Sequence, residues 1–228
     1  MKKLFFYSLA LGMMTLGLTS CNDDEDQLSD TRVTHFAELE LLGDTWIDMN
    51  VGDTFKDPGY KATEGTEDIT SKVVVSGSVN TAVGAFYNLV YSVSNKDGFA
   101  VSAERTIMVK DPNNFASAYY GESQYGSRHY YDAPITISSL GGNAYLISDL
   151  LGGFYAYGRY PQYLGSLDFL LEAVILLNDD NSISLQKYGD WYWGADVPTL
   201  LDGSYDPATG KIVLNMDFDA PFTVTLTK

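Results

Sequence analysis

The residues whose types could do chemistry gather in three short stretches: QYGSRHYYD (124–132), FYAYGRYPQYLG (154–165) and YGDWYWGADVP (188–198). Each sets aromatic rings beside charged groups. A tyrosine or tryptophan face suits the C–H face of a neutral sugar, and an arginine fork beside it can hold a carboxylate. The same residue types make protein interfaces. The contact candidates are Tyr155, Tyr157, Arg159, Tyr160 and Tyr163, joined by Arg128 and Tyr192. For the two arginines the alternative is a surface side chain lying over tyrosine faces. Trp191 and Trp193 are candidates whose standing depends on backbone shape. In a strand they share a face with Ala195 and Val197 and belong to a core, each indole N–H needing a partner, while Tyr192 looks out with Asp190 and Asp196. Gly189, Gly194 and Pro198 keep a loop open as the alternative, in which all three rings would be exposed.

Catalytic chemistry finds little support. His35 and His129 lie far apart in the chain, Cys21 is the only cysteine, and neither HExxH nor a DxDxDG loop occurs, so no metal site and no cofactor is expected. His129 is expected to pack among Tyr130 and Tyr131 rather than to act. No G-x-S-x-G elbow marks a serine nucleophile. A carboxylate pair would suffice for glycoside hydrolysis, but Asp179, Asp180, Asp202 and Asp206 belong to turns. Glu172, inside the apolar run 169–177, is the one unusual acid: pointing inward it would be a desolvated general acid, pointing outward mere surface, which is the favoured reading. A non-enzymatic chain is expected.

These candidates must be positioned by elements that begin after a leader. Lys2 and Lys3 precede the apolar run Leu4 to Leu16, which reads as a secretory signal peptide over residues 1–20. It closes on Leu18-Thr19-Ser20-Cys21, which resembles a bacterial lipobox and implies lipidation of Cys21. Residues 21–35 then read as a lipidated cysteine and a solvated acidic tether, with Asn22-Asp23-Asp24-Glu25-Asp26 at its start. That run resembles the acidic export signal of Bacteroidota-type lipoproteins, which implies an outer-membrane, lipid-anchored protein facing the cell exterior. The net charge of −16, two units more negative once Lys2 and Lys3 leave, makes nucleic acid an unsuitable partner. It also calls for a neutral glycan ligand, unless the site is locally basic.

The chain divides at Val109-Lys110-Asp111-Pro112-Asn113-Asn114, and thirteen of the seventeen tyrosines follow that seam, so the aromatic chemistry belongs to the second half. Before it, Tyr87, Leu89, Tyr91 and Val93 alternate with Asn88, Val90, Ser92 and Ser94, and Val101, Ala103, Ile107 and Val109 share a parity; period two predicts half-buried antiparallel strands. VGDTFKDPGYKATEG (51–65), Val75-Ser76-Gly77, Gly84-x-Phe86-Tyr87 and Arg105-Thr106 resemble the Ig-like module at the base of many Bacteroidota surface lipoproteins. That resemblance covers residues 36–111 and implies an Ig-like β-sandwich serving as a spacer. In residues 115–228 the strands Ile183 to Leu185, Ile212 to Met216 and Phe222 to Leu226 alternate across turns at 178–181 and 206–210. Further short strands are expected at 135–137, 144–148 and 153–157, and 169–177 is a mostly apolar run rich in β-formers. About eight strands predict a small antiparallel β-barrel or lipocalin-like meander, giving an all-β chain. YLISDLLGGFYAYG (145–158), LNDDNSISL (177–185) and LDGSYDPATGKIVLNMDF (201–218) resemble the C-terminal β domain that follows the same module in a family of surface lipoproteins, similar in role to starch-utilisation accessory lipoproteins. The resemblance implies association with a TonB-dependent transporter and its lid lipoprotein. The expected role is nutrient capture, with a neutral glycan as ligand; oligopeptide capture, or ligand-free docking on the importer, are the alternatives.

Overall fold

Alternating side chains build the first sheets. The computed structural model describes residues 33–194 and 196–228; the leader, Cys21 and the acidic run 22–26 lie outside the described residues. Seven strands come first: β1 (Ala37–Leu41), β2 (Trp46–Asn50), β3 (Tyr60–Glu64), β4 (Glu67–Asp68), β5 (Val74–Ser76), β6 (Ala85–Ser94) and β7 (Ala100–Lys110). They form two sheets, β1-β3-β4 and β2-β7-β6-β5, antiparallel except for the parallel β2–β7 pair. Leu89 and Tyr91 of β6 and Ile107 and Val109 of β7 are buried, with Leu39, Leu41, Ile47 and Met49 packed on them. These are the inward parities of an Ig-like sandwich. Arg105 shares that inward parity and is fully buried.

The second half is an eight-stranded antiparallel meander: β8 (Ser117–Tyr125), β9 (Arg128–Gly141), β10 (Ala144–Ile147), β11 (Ala173–Leu177), β12 (Ile183–Tyr188), β13 (Thr199–Asp206), β14 (Lys211–Phe218) and β15 (Ala220–Thr227). First and last strands pair, so the order runs β12-β11-β10-β9-β8-β15-β14-β13 and the barrel is closed except between β12 and β13. At that seam a single bridge, Ser182 to Ser204, and the Tyr205 N–H bond to the Asn181 carbonyl (2.9 Å) hold one end. The Tyr188 hydroxyl donates to the Pro198 carbonyl at the other. β12 and β13 are therefore the two edges of the sheet, brought together but paired only at Ser182 and Ser204.

The interior is packed with side chains. Ile135, Ile137, Ile147, Ile175, Ile212, Leu214, Met216, Phe222, Val224 and Leu226 turn inward, and so do Leu150, Leu151, Phe154 and Leu171 from the connection between β10 and β11. A hairpin needs only a few residues here, whereas residues 148–172 return across the barrel and fill it. Close approach requires glycine at two points. A Cβ on Gly121 of β8 would stand 2.8 Å from the Gly152 carbonyl oxygen, and one on Gly153, whose φ is +82°, would stand 2.1 Å from the Ala133 Cβ.

The structure corrects two expected strands. Residues 153–157 are not extended: Phe154–Arg159 is a π-helical turn, closed by Gly158 N–H to the Gly153 carbonyl (3.1 Å) and Tyr160 N–H to the Tyr155 carbonyl (2.9 Å). Two left-handed glycines, Gly152 and Gly153, reverse the chain there and override the β-forming tyrosines. In the run 169–177 only Ala173–Leu177 pairs in the sheet. Ala37–Lys228 is one compact unit, so the expected spacer is packed on the barrel. Trp46 of β2 donates its indole N–H to the Tyr120 hydroxyl of β8 (2.7 Å) and stacks on that ring at 6.0 Å, while Asp48 accepts from Lys110 at 2.8 Å.

Candidate functional site

Asp149 is the residue from which the site is built. It follows β10, is wholly buried, and its carboxylate accepts backbone N–H bonds from Leu151 (3.0 Å), Gly153 (2.8 Å) and Leu171 (3.1 Å). One side chain therefore ties the start of the β10–β11 connection to its end. Leu150 N–H adds a bond to the Leu171 carbonyl at 2.8 Å. Burial pushes the Asp149 carboxyl up to about 6, although all three N–H bonds act the other way.

The connection held by this clamp carries the aromatic candidates. In an i→i+5 turn residues five apart share a face and residues two apart lie on roughly opposite ones. Tyr155 and Tyr160 accordingly stand together, rings near-parallel with centroids 6.2 Å apart, and Arg159 sits beside them. The Arg159 Nε donates to the Tyr160 hydroxyl at 3.0 Å and its guanidinium lies 5.2 Å from the Tyr160 ring centre. That hydrogen bond, the largest influence on it, holds Arg159 above its usual value. Burial pushes the Tyr155 hydroxyl up to about 12, so it remains a proton donor at physiological pH.

Trp191 and Trp193 come from the loop between β12 and β13, where the barrel seam is open. Gly194 N–H bonds to the Trp191 carbonyl at 2.9 Å, which closes a turn, so the alternating strand face expected of the two indoles does not form. Trp191 belongs to the core all the same: it is 9% exposed, and its indole N–H donates to the Phe169 carbonyl at 3.2 Å. Trp193 lies outside it at 37% exposure, braced by Tyr155 at 4.8 Å, Trp191 at 5.0 Å and the near-parallel Phe169 ring at 5.0 Å.

The result is an open cleft of about 270 Å³ at the barrel mouth, lined by Arg128, Tyr155, Arg159, Tyr160, Trp191 and Trp193 among the expected residues. Three expected residues stand elsewhere. Tyr157 faces the other side of the π turn and lines a separate cleft with Trp46, Phe86 and Pro134. Tyr163 and Tyr192 pack edge-on against Phe169 at 6.2 and 4.8 Å, outside the cleft lining. The lining residues that sequence reasoning missed are Tyr125, Phe154, Asp196 and Phe218. Tyr125 ends β8 and Phe218 ends β14, so strand ends flanking turns were the available signal.

Neither acid–base candidate enters the cleft lining. Glu172 is exposed, its carbonyl accepting Gly189 N–H at 2.7 Å. His129 packs on Tyr131 (4.2 Å) and not among both tyrosines, because Tyr130 turns the other way against Phe154. Its Nε2 meets Glu122 Oε1 at 2.7 Å and its Nδ1 meets the Tyr131 hydroxyl at 2.6 Å.

Residues 39–109 match the family model of the bacterial surface protein Ig-like domain, and residues 110–228 match the family model of a C-terminal domain. Among solved structures, the lipoprotein BT2262 from Bacteroides thetaiotaomicron is 30% identical over 85% of this chain and 100% of its own, with a TM-score of 0.60. A CBM51-2 structure from Clostridium perfringens ZmpB, in complex with GlcNAc and with INT domains, is 20% identical over 78% of this chain and 29% of its own, at a TM-score of 0.27. A multidomain protein including DUF1735 from Bacteroides ovatus is 11% identical over 62% of this chain and 55% of its own, also at 0.27. The last two superpose too poorly to bear on function. No curated protein matches the chain.

Proposed function

This chain belongs to the family of Bacteroidota surface lipoproteins that set an Ig-like module before a C-terminal β domain, and from that premise we propose that it is a non-enzymatic accessory subunit whose barrel mouth captures a glycan. It is anchored through Cys21 to the outer membrane, faces the exterior, and serves a TonB-dependent importer and its lid lipoprotein. The observation that carries the reading is the aromatic cleft itself. The barrel interior is filled, so binding belongs at its mouth, where the rings of Trp193, Tyr155 and Tyr160 line an open cleft. Such faces are braced by neighbours and lose little freedom on binding, which favours stacking on sugar C–H faces.

Affinity electrophoresis through gels cast with a polysaccharide panel tests this. The full chain is expected to be retarded by at least one polysaccharide. Trp193→Ala weakens that retention at least tenfold, about 1.4 kcal/mol or more. Trp193 is only 37% exposed and packs on neighbouring rings, so the variant loses some thermal midpoint and is assayed well below it; Trp191→Ala would not serve, since Trp191 is buried in the core. Tyr157→Ala leaves retention unchanged, because that ring lines another cleft. A folded chain that no polysaccharide retards, yet which co-purifies with the importer pair, would establish docking in place of capture.

A further inference from the structure

The described residues include three arginines, Arg105, Arg128 and Arg159. Arg105 is locked inside the sandwich, and the other two line the same aromatic cleft. In a chain with 30 acidic residues and a net charge of −16, this convergence runs against the general charge. Among the described residues neither Arg128 nor Arg159 stands within ion-pair distance of a carboxylate. Asp196 shares the lining, so the wall holds two positive groups against one negative. The overall acidity does not decide what binds there: at physiological ionic strength exposed charges are screened beyond about 8 Å, whereas a guanidinium in contact with a ligand is not.

We propose that the cleft selects an acidic glycan, a uronic-acid residue whose ring lies on Trp193 and Tyr155 while Arg159 and Arg128 hold its carboxylate. This rests on the glycan reading of the same cleft and narrows it, replacing the neutral sugar that overall charge calls for. Arg159 is prepared for the task. Its Nε is committed to the Tyr160 hydroxyl and its guanidinium carbon lies 5.2 Å from the Tyr160 ring centre, which leaves the two terminal nitrogens as an end-on fork for two carboxylate oxygens. Arg128 is exposed at the first residue of β9 and lines the same cleft as Tyr155 and Arg159. Both cations thus flank a ring of the stacking wall. A saccharide with a carboxylate on the ring carbon next to the ring oxygen offers an apolar face and a planar anion together.

The test is calorimetry of the detergent-solubilised full chain with a panel of uronate oligosaccharides (galacturonate, glucuronate and mannuronate/guluronate types), each beside its carboxyl-reduced counterpart. At least one uronate oligomer binds, its reduced form binds at least tenfold more weakly, and Arg159→Ala and Arg128→Ala each shrink that ratio while leaving the weak binding of the reduced form in place. Trp193→Ala weakens both forms alike. Equal binding of an oligomer and its reduced form overturns the acidic preference and leaves glycan capture standing. Binding of a free-carboxylate tripeptide with no saccharide of the panel bound overturns the acidic-glycan proposal, as does a folded chain that binds nothing offered; the glycan reading itself falls only if the polysaccharide gels also fail to retard the chain.

Discussion

Arg105→Met lowers the stability of the chain by about 3–5 kcal/mol, the cost of breaking a buried ion pair from one side. The side chain donates from all of its nitrogens: Nε to the Asp44 carbonyl (2.9 Å), Nη1 to Asp57 and to the Tyr91 hydroxyl (3.0 Å), Nη2 to the carbonyls of Leu42 (2.6 Å) and Gly59 (3.3 Å). Its partners come from the connections before β2 and β3 and from β6, so one buried cation ties the loops of the first sheet to the strands of the second. Tyr91 stays protonated, burial foremost and then Asp57 pushing its hydroxyl up to about 12, and it donates to Asp57 at 2.7 Å. Methionine fills the volume but takes the cation from Asp57, which keeps the Tyr91 hydroxyl and Gly59 N–H, and takes the arginine donors from the Leu42 and Asp44 carbonyls, while the Gly59 carbonyl keeps Leu42 N–H. Because the Asp57 side chain is 30% exposed, water recovers part of the loss, which places the effect toward the lower figure. In urea the midpoint falls by roughly 1 M or more at an unfolding slope of about 3 kcal/mol per molar. Adding Asp57→Asn to the variant recovers part of the deficit, since no charge is then left unpaired. A midpoint within experimental error of the parent would show that the arginine holds nothing together.

Arg105 also shows what the sequence makes legible. It occupies the middle of the parity set Val101, Ala103, Ile107 and Val109, so a charged residue is written onto an inward face, and only a ring of acceptors can accommodate it there. The strands were readable for the same reason: in β14 and β15 the period of two maps directly onto burial, with Ile212, Leu214, Met216, Phe222, Val224 and Leu226 all inside. The site was less readable, because its geometry comes from departures from that period. Tyr155 and Tyr157 read as neighbours on one strand face, yet two left-handed glycines and an i→i+5 turn send them to different clefts. Trp191 and Trp193 read as a pair sharing one fate, yet a turn closed at Gly194 leaves one in the core and the other at the surface. Asp149 carried no sequence signal beyond its place before two leucines and two glycines. Its importance comes from Leu171, twenty-two residues on, brought back by the fold.

Asp149 makes the stability of the barrel depend on pH in a direction opposite to that of most aspartates. In the unfolded chain it titrates near 3.8; in the folded chain burial pushes it up to about 6. The folded state therefore binds this proton more tightly. The stability contributed by the group is present in full well below 3.8, its unfolded value, and is lost progressively as pH rises to about 6, a change of about 3 kcal/mol for a two-unit difference. Falling pH also relieves the self-repulsion of a chain at −16, while Asp48, Asp68, Asp180 and Asp206, held below their ordinary value, pull the other way at the acid end. Comparison with Asp149→Asn cancels these common contributions. Asparagine keeps an oxygen for Leu151 and Leu171 and sets an amide against Gly153, so it costs about one hydrogen bond at every pH and has no proton to exchange. Denaturation of both proteins between pH 4 and pH 7.5 is expected to give a difference curve in which the parent gains about 2 kcal/mol on the variant toward acid, a change that begins at the native midpoint near pH 6 and is spread down to pH 4. The fluorescence of Trp191 and Trp193 should follow the same midpoint, since the clamp sets the connection on which both pack through Phe169 and Tyr155. A flat difference curve would mean that Asp149 ionises in the fold as it does in water, and that its three N–H bonds fully compensate for burial.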